Sequence, residues 1–139
     1  MSADLGKPLF DAKGPFEVSI RDVAFGGAGV GVLPDGRVAF VPFTLAGERV
    51  RLRLTRAHKD FAEAELLEAL EPSPHRTPPL CAHFGNCGGC QYQHATYEEQ
   101  LRIKTRQVRD ALERIGKLRN LPELHVAPAP SPFGYRNKI

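Results

Sequence analysis

Hydrophobic and polar residues alternate through most of the first half of the chain, and a longer period takes over beyond residue 96. In residues 16–22, FEVSIRD, Phe16, Val18 and Ile20 fall on one face and Glu17, Ser19 and Arg21 on the other, which predicts a half-buried strand. Residues 23–33 are apolar and rich in glycine, and a Pro34-Asp35-Gly36 turn leads to a further strand-like run at 37–43. Residues 48–56 alternate cleanly, with Val50, Leu52 and Leu54 inward and Arg49, Arg51 and Arg53 outward. A turn near His58 and Lys59 precedes residues 61–70, where Ala62, Ala64 and Leu66 share one face and Glu63 and Glu65 the other. That last composition also favours helix, so periodicity leaves strand and helix open there. Five short strands with glycine bends predict a small closed barrel of the oligonucleotide-binding type.

The longer period predicts one helix. Thr96-Tyr97-Glu98-Glu99 fits a capping box, with Thr96 as the cap and Glu99 reaching back to it. Leu101, Val108, Ala111, Leu112, Ile115 and Leu118 then recur at helical spacing, and Gly116 is placed to end the run. Two proline-rich stretches, 71–80 and 121–134, read as linkers because proline removes the backbone donor that ladders and helices need. The predicted organisation is a tail at 1–13, a barrel at 14–71, a linker at 72–80, a cysteine-rich loop plus helix at 81–120, and a second linker with a short tail at 121–139. The fold class is mostly β with one long helix.

Composition adds three constraints. A length of 139 residues suits one ordinary domain or two very small ones. No apolar run approaches the length of a membrane span, and the opening MSADLGKPLFDAKG lacks the features of a signal peptide, so a cytoplasmic protein is expected. Charge is uneven: residues 1–80 carry 10 Lys/Arg against 11 Asp/Glu, and residues 81–139 carry 9 against 5. A basic half favours a phosphate-rich partner, although a solvated helix surface accounts for it as well.

Chemistry concentrates in the loop CAHFGNCGGC. Cys81, Cys87 and Cys90 are the only cysteines, spaced Cys-x5-Cys-x2-Cys among glycines. An odd number of thiols in a reducing compartment argues against disulfides and for a common metal centre. An iron–sulfur cluster in its usual form needs a fourth thiolate; zinc would accept His94, four positions after Cys90. The glycines at 26, 27, 29 and 31 do not open a helix, so they read as strand bends rather than as a phosphate cradle. The row Arg49, Arg51, Arg53 is suited to tracking a sugar–phosphate backbone. Glu63 and Glu65 on the next strand share its face, and a hairpin about 58–59 sets Glu65 opposite Arg53 or Arg51, so mutual neutralisation is the competing reading. Arg37, Arg56 and Lys59 lie near turns, and Arg136 and Lys138 lie in the tail. Phe25, Phe40, Phe43 and Phe61 are either base-stacking surfaces or core, and a small barrel's need for bulk favours core.

Residues 36–79, with FVP at 40–42, GERV at 47–50 and FAEAEL at 61–66, resemble a TRAM domain, a barrel module of RNA-modifying enzymes. CAHFGNCGGCQYQHATYEEQLRIK at 81–104 resembles the segment that follows it in bacterial RNA uracil-5-methyltransferases, and GYRNKI at 134–139 resembles that family's next block. The resemblance implies that Cys81, Cys87 and Cys90 are three ligands of a 4Fe–4S cluster whose fourth lies further along. It also implies an S-adenosylmethionine site, a nucleophilic cysteine and a general base, none with a counterpart here. The expectation is therefore the RNA-binding, iron–sulfur portion of a uracil-5-methyltransferase, inactive alone, acting on 23S rRNA rather than tRNA, with a separately encoded catalytic domain as a further partner. Its main partner would be RNA rather than DNA or membrane, held by Arg37, Arg49, Arg51, Arg53, Arg56, Lys59, Arg136 and Lys138. The alternative is a stand-alone RNA-binding module with structural zinc on the cysteines and His94.

Overall fold

The alternation of residues 16–71 closes a barrel. The computed structural model describes residues 14–138, so the predicted tail at 1–13 and the terminal Ile139 lie outside the described residues. Five strands form: β1 (Phe16–Val23), β2 (Gly29–Val32), β3 (Val38–Val41), β4 (Arg49–Ala57) and β5 (Phe61–Glu71). They close in the order β1-β2-β3-β5-β4, with β3 and β5 parallel and the other pairs antiparallel. The ambiguous 61–70 segment is a strand because it pairs on both sides, with Val38↔Phe61 to β3 and Leu54↔Ala64 to β4.

The interior is aliphatic. Val18, Ile20, Leu33, Ala39, Val41, Val50, Leu52, Leu54, Ala62 and Ala64 form one buried cluster. This corrects the reading of the phenylalanines as core: Phe40, Phe43 and Phe61 are only partly buried, and Phe25 is 93% exposed. The reason is strand phase. Ala39 and Val41 take the inward positions of β3, so Phe40 between them points out. The interior is also too tight for more bulk where β2 crosses it. A methyl group built on Gly29 would overlap Thr44 Oγ1 and meet Ile20 Cγ2 at 3.0 Å.

Helix α1 (Tyr97–Asp110) docks on the barrel end through a second cluster of Val23, Leu45, Ala95 and Ile103, with Tyr92 against it. Its last turn, Ala111–Ile115, widens to π geometry, and Gly116 followed by Lys117 in the left-handed region (φ 56°) terminates it. Thr96 caps the helix by accepting from the Glu99 amide at 3.4 Å. The reciprocal half of the capping box is absent. Glu99 pairs with Arg102 at 2.9 Å, and the Thr96 amide donates to the His75 carbonyl at 2.8 Å, because residues 73–77 lie alongside and supply the acceptor. The apolar stripe also differs from expectation. Ile103 is the buried helix residue, while Val108, Ile115 and Leu118 are 53%, 83% and 49% exposed. The face that docks runs through Gln100, Ile103 and Gln107. Gln107 Nε2 donates to the Ala24 carbonyl at 3.1 Å and to the Tyr92 hydroxyl at 3.0 Å.

The proline-rich stretch at 72–80 is fastened to both parts. The Thr77 amide donates to the His94 carbonyl at 2.9 Å, and Arg76 bridges to Ala95. Barrel, strap and helix thereby share hydrogen bonds and a core. No helix among the described residues is long and apolar enough to cross a membrane.

Candidate nucleic-acid interface

The outward face of β4 carries the arginine row, and the structure pairs every member of it. Arg49 meets Glu17 at 2.8 Å and Glu71 at 3.8 Å. Arg51 meets Glu68 at 2.9 Å and Glu17 at 3.3 Å. Arg53 pairs with Glu65, the register in which Glu65 faces Arg53. The ladder follows from β4 lying between β1 and β5, both of which present glutamates outward. Each exposed pair contributes only ~0.2–1 kcal/mol, yet together they cancel the row's charge.

The other cations divide. Arg37 is buried, held to Asp35 at 2.8 Å, and donates to the His58 carbonyl at 3.1 Å, so it ties the β2–β3 turn to the β4–β5 turn. Arg56 and Lys59 are exposed at that β4–β5 turn, beside a partly buried aromatic group. There His58 stacks on Phe61 with centroids 4.2 Å apart, and Phe61 meets Phe40 edge-on at 5.8 Å. Arg136 and Lys138 are exposed, remote in sequence from the barrel. The structure thus does not gather the eight predicted contacts on one face.

The strongest polar feature is one that sequence reading missed. Glu48 is fully buried and receives the Arg76 guanidinium on both oxygens, at 2.6 and 2.8 Å. Leu45 and Ser73 amides donate to the same carboxylate at 2.9 and 3.1 Å. Burial alone would raise this carboxyl, but the Arg76 bonds and the two amides hold it below the usual value of 4.5. The signal was present: Glu48 shares the inward phase of Val50, Leu52 and Leu54. Arg76 also donates to the Phe43 carbonyl at 2.8 Å, fixing a residue whose φ of 65° is unusual for a phenylalanine.

Against this rivet lies the cysteine loop. Cys81, Cys87 and Cys90 are free thiols and exposed. Tight turns order the loop: the Cys87 amide donates to the His83 carbonyl at 2.9 Å, and the Gly89 amide donates to Cys87 Sγ at 3.4 Å. The Cys81 amide donates to Gln93 Oε1 at 3.1 Å, and Phe84 stacks on His94 at 5.8 Å, which anchors the loop inward. The donor chemistry suits a thiolate-bound metal or cluster. The geometry does not complete one, because among the described residues no three His, Cys, Asp or Glu side chains converge on a common point. His94 is committed elsewhere. It is 2% exposed, sits between Phe43 and Phe84, and its Nε2 is 3.4 Å from the Thr44 carbonyl. Burial, with the Arg76 charge adding to it and the Thr44 carbonyl opposing it, lowers its pKa from the ordinary 6.5.

Residues 16–67 match the TRAM domain family. Over 131 residues the chain is 42% identical to an uncharacterised RNA methyltransferase of Synechocystis sp., covering 94% of this chain and 28% of that protein. It is 44% identical over 133 residues to the 23S rRNA (uracil(1939)-C(5))-methyltransferase of Acidithiobacillus ferrooxidans, covering 95% of this chain and 29% of that protein. Among solved structures it resembles the Pyrococcus abyssi tRNA (uracil-54, C5)-methyltransferase in complex with S-adenosyl-L-homocysteine, with a TM-score of 0.55 and 30% identity over 88% of this chain and 26% of that one. The chain therefore spans little more than a quarter of the length of the relatives it matches.

Proposed function

We propose that the chain, whose residues 16–67 match the TRAM domain and which resembles little more than a quarter of several RNA methyltransferases, is the RNA-gripping portion of a uracil-5-methyltransferase. The observation that carries the reading is continuity. The likeness covers 94–95% of the chain, running through barrel, strap, cysteine loop and helix, which are the parts that pack as one body. The geometry favours binding over chemistry in these residues. An outward face with aromatics and unpaired cations is the common recipe for single-stranded nucleic acid. Methyl transfer from S-adenosylmethionine is proposed for the whole protein, with its catalytic groups on polypeptide outside these 139 residues, in the same chain or a separate one. The reading includes a cytoplasmic location and a preference for 23S rRNA over tRNA.

For the cysteine loop the proposal is a 4Fe–4S cluster held by Cys81, Cys87 and Cys90 and completed by a fourth donor from outside these 139 residues. Zinc with His94 is disfavoured by the ring's burial between two phenylalanines. The functional reading is tested by fluorescence anisotropy of the full chain with a labelled 23S rRNA fragment across a salt series. Affinity that falls linearly with the logarithm of salt is expected. No binding even at low salt would sink the reading.

A further inference from the structure

A second face of the barrel, away from the neutralised arginine ladder, forms a cleft of about 1030 Å³ against the end of the helix. Its barrel side is Val30, Val38 and Phe40, the outward residues of β2 and β3. The helix side is Gln107, Ala111 and Ile115. Phe25, on the β1–β2 turn, stands at the lip with 93% of its surface in solvent. The turn that presents it uses Gly26 and Gly27 at φ 99° and 102°, a conformation glycine adopts without strain. Phe25 and the largely exposed Ile115 thus edge a contiguous apolar floor, the kind of patch that marks an interaction site.

Charge identifies the occupant. Arg21, Arg114 and Lys117 line the cleft, and none of them has an ion-pair partner among the described residues. Two carboxylates also line it. Asp22 is engaged by Arg106 at 3.2 Å, which leaves Asp110 as the one opposing charge. The balance is cationic, over an apolar floor with an exposed ring at its edge. Lys117 lines the cleft from the turn that ends the helix, where its φ is left-handed and the Leu118 amide donates to the Leu112 carbonyl at 3.0 Å. Strands β2 and β3 with the β1–β2 loop are also the surface that barrels of this type offer to oligonucleotides.

The geometry points to this cleft as the seat of single-stranded RNA, with one unstacked base on Phe25 and the sugar–phosphate chain along Arg21, Arg114 and Lys117. The inference rests on the RNA-binding reading above and locates it. Duplex RNA fits poorly, since the ring needs a base free of its own stack.

The chain contains no tryptophan, so Phe25→Trp places a single reporter at the stacking surface. Titrating the full chain carrying Phe25→Trp with an oligouridylate of about ten nucleotides should quench its emission saturably. The midpoint should match that from anisotropy with the labelled oligonucleotide. Phe25→Ala should weaken binding by about tenfold or more. Arg114→Gln combined with Lys117→Gln should reduce the slope of log affinity against log salt by roughly 1.4. Arg53→Gln combined with Glu65→Gln, which removes one neutral pair from the ladder, should leave affinity unchanged. All these side chains are partly or wholly exposed, and unaltered melting temperatures would confirm intact folding. If the wild-type chain binds but Phe25→Ala binds equally well and the tryptophan emission does not move, the cleft is wrong and RNA binding stands. If the wild-type chain binds no RNA at low salt, the RNA reading fails and takes the cleft with it.

Discussion

Replacing Arg76 with methionine removes the guanidinium that faces the fully buried Glu48 carboxylate. The stem of the side chain is kept, so packing changes little. Glu48 would retain its bonds from Leu45 and Ser73 but lose both contacts to Arg76, and the Phe43 carbonyl would lose its donor as well. Breaking a buried ion pair by removing one partner costs about 3–5 kcal/mol. Arg76 is 24% exposed, so water screens part of the interaction, and about 2–3 kcal/mol is expected. For a chain of this size that corresponds to a melting temperature lower by roughly 6–12 °C. The comparison variant is Arg51→Met on the exposed ladder, where Arg51 is 39% exposed and its partners Glu17 and Glu68 are 42% and 58% exposed, and the loss should stay below about 1 kcal/mol. Urea unfolding near neutral pH measures both, and a double-mutant cycle with Glu48→Gln isolates the coupling. Should Arg76→Met prove no more destabilising than Arg51→Met, this pair is not what rivets residues 72–77 to the barrel.

Acidification should destabilise the protein in two stages. His94 has a depressed folded-state pKa, so its contribution is present above 6.5 and is lost as pH falls from there through the lower folded value. Glu48 is depressed too, and its contribution disappears as pH falls from 4.5 through its own folded value. Melting temperature against pH should show both, with His94→Phe flattening the upper stage and Glu48→Gln the lower; one unaffected curve for all three proteins would contradict the assignment. Gly29→Ala should destabilise by about 1–3 kcal/mol in urea unfolding, since the new methyl group meets the buried Thr44 hydroxyl that donates to the Val41 carbonyl at 2.8 Å. A wild-type midpoint would show that Thr44 yields freely. Anaerobic incubation with iron and sulfide, with dithiothreitol added as a small-molecule fourth thiol donor, should give a brown chromophore that Cys87→Ser abolishes. Three freely alkylated thiols and no colour would count against the cluster.

Much of the barrel was legible because strand phase is a local property. Val18, Ile20, Val50, Leu52 and Leu54 are inward as their spacing requires. The facing of Glu65 and Arg53 follows from the hairpin turn in the same way. What sequence did not reveal depends on contacts between distant segments. Residues 72–80 resemble a linker until the carboxylate 28 positions before Arg76 captures it. The helix stripe misleads because hydrophobic spacing names an apolar face without saying which part finds a partner, and the dock uses Ile103. Bulk argues for the phenylalanines inside, whereas phase alone sends Phe40 out. The cleft cations Arg21, Arg114 and Lys117 come together only once the helix has turned back over β1–β3.

The most direct measurement is photocrosslinking of the intact chain to a 4-thiouridine-substituted single-stranded RNA, with the adducts mapped by mass spectrometry. The account predicts adducts in the segments bearing Phe25, Phe40 and Arg114–Lys117, competed away by unmodified RNA. Adducts confined to the outward face of β4 and β5, or none at all under conditions where RNA binds, would contradict it.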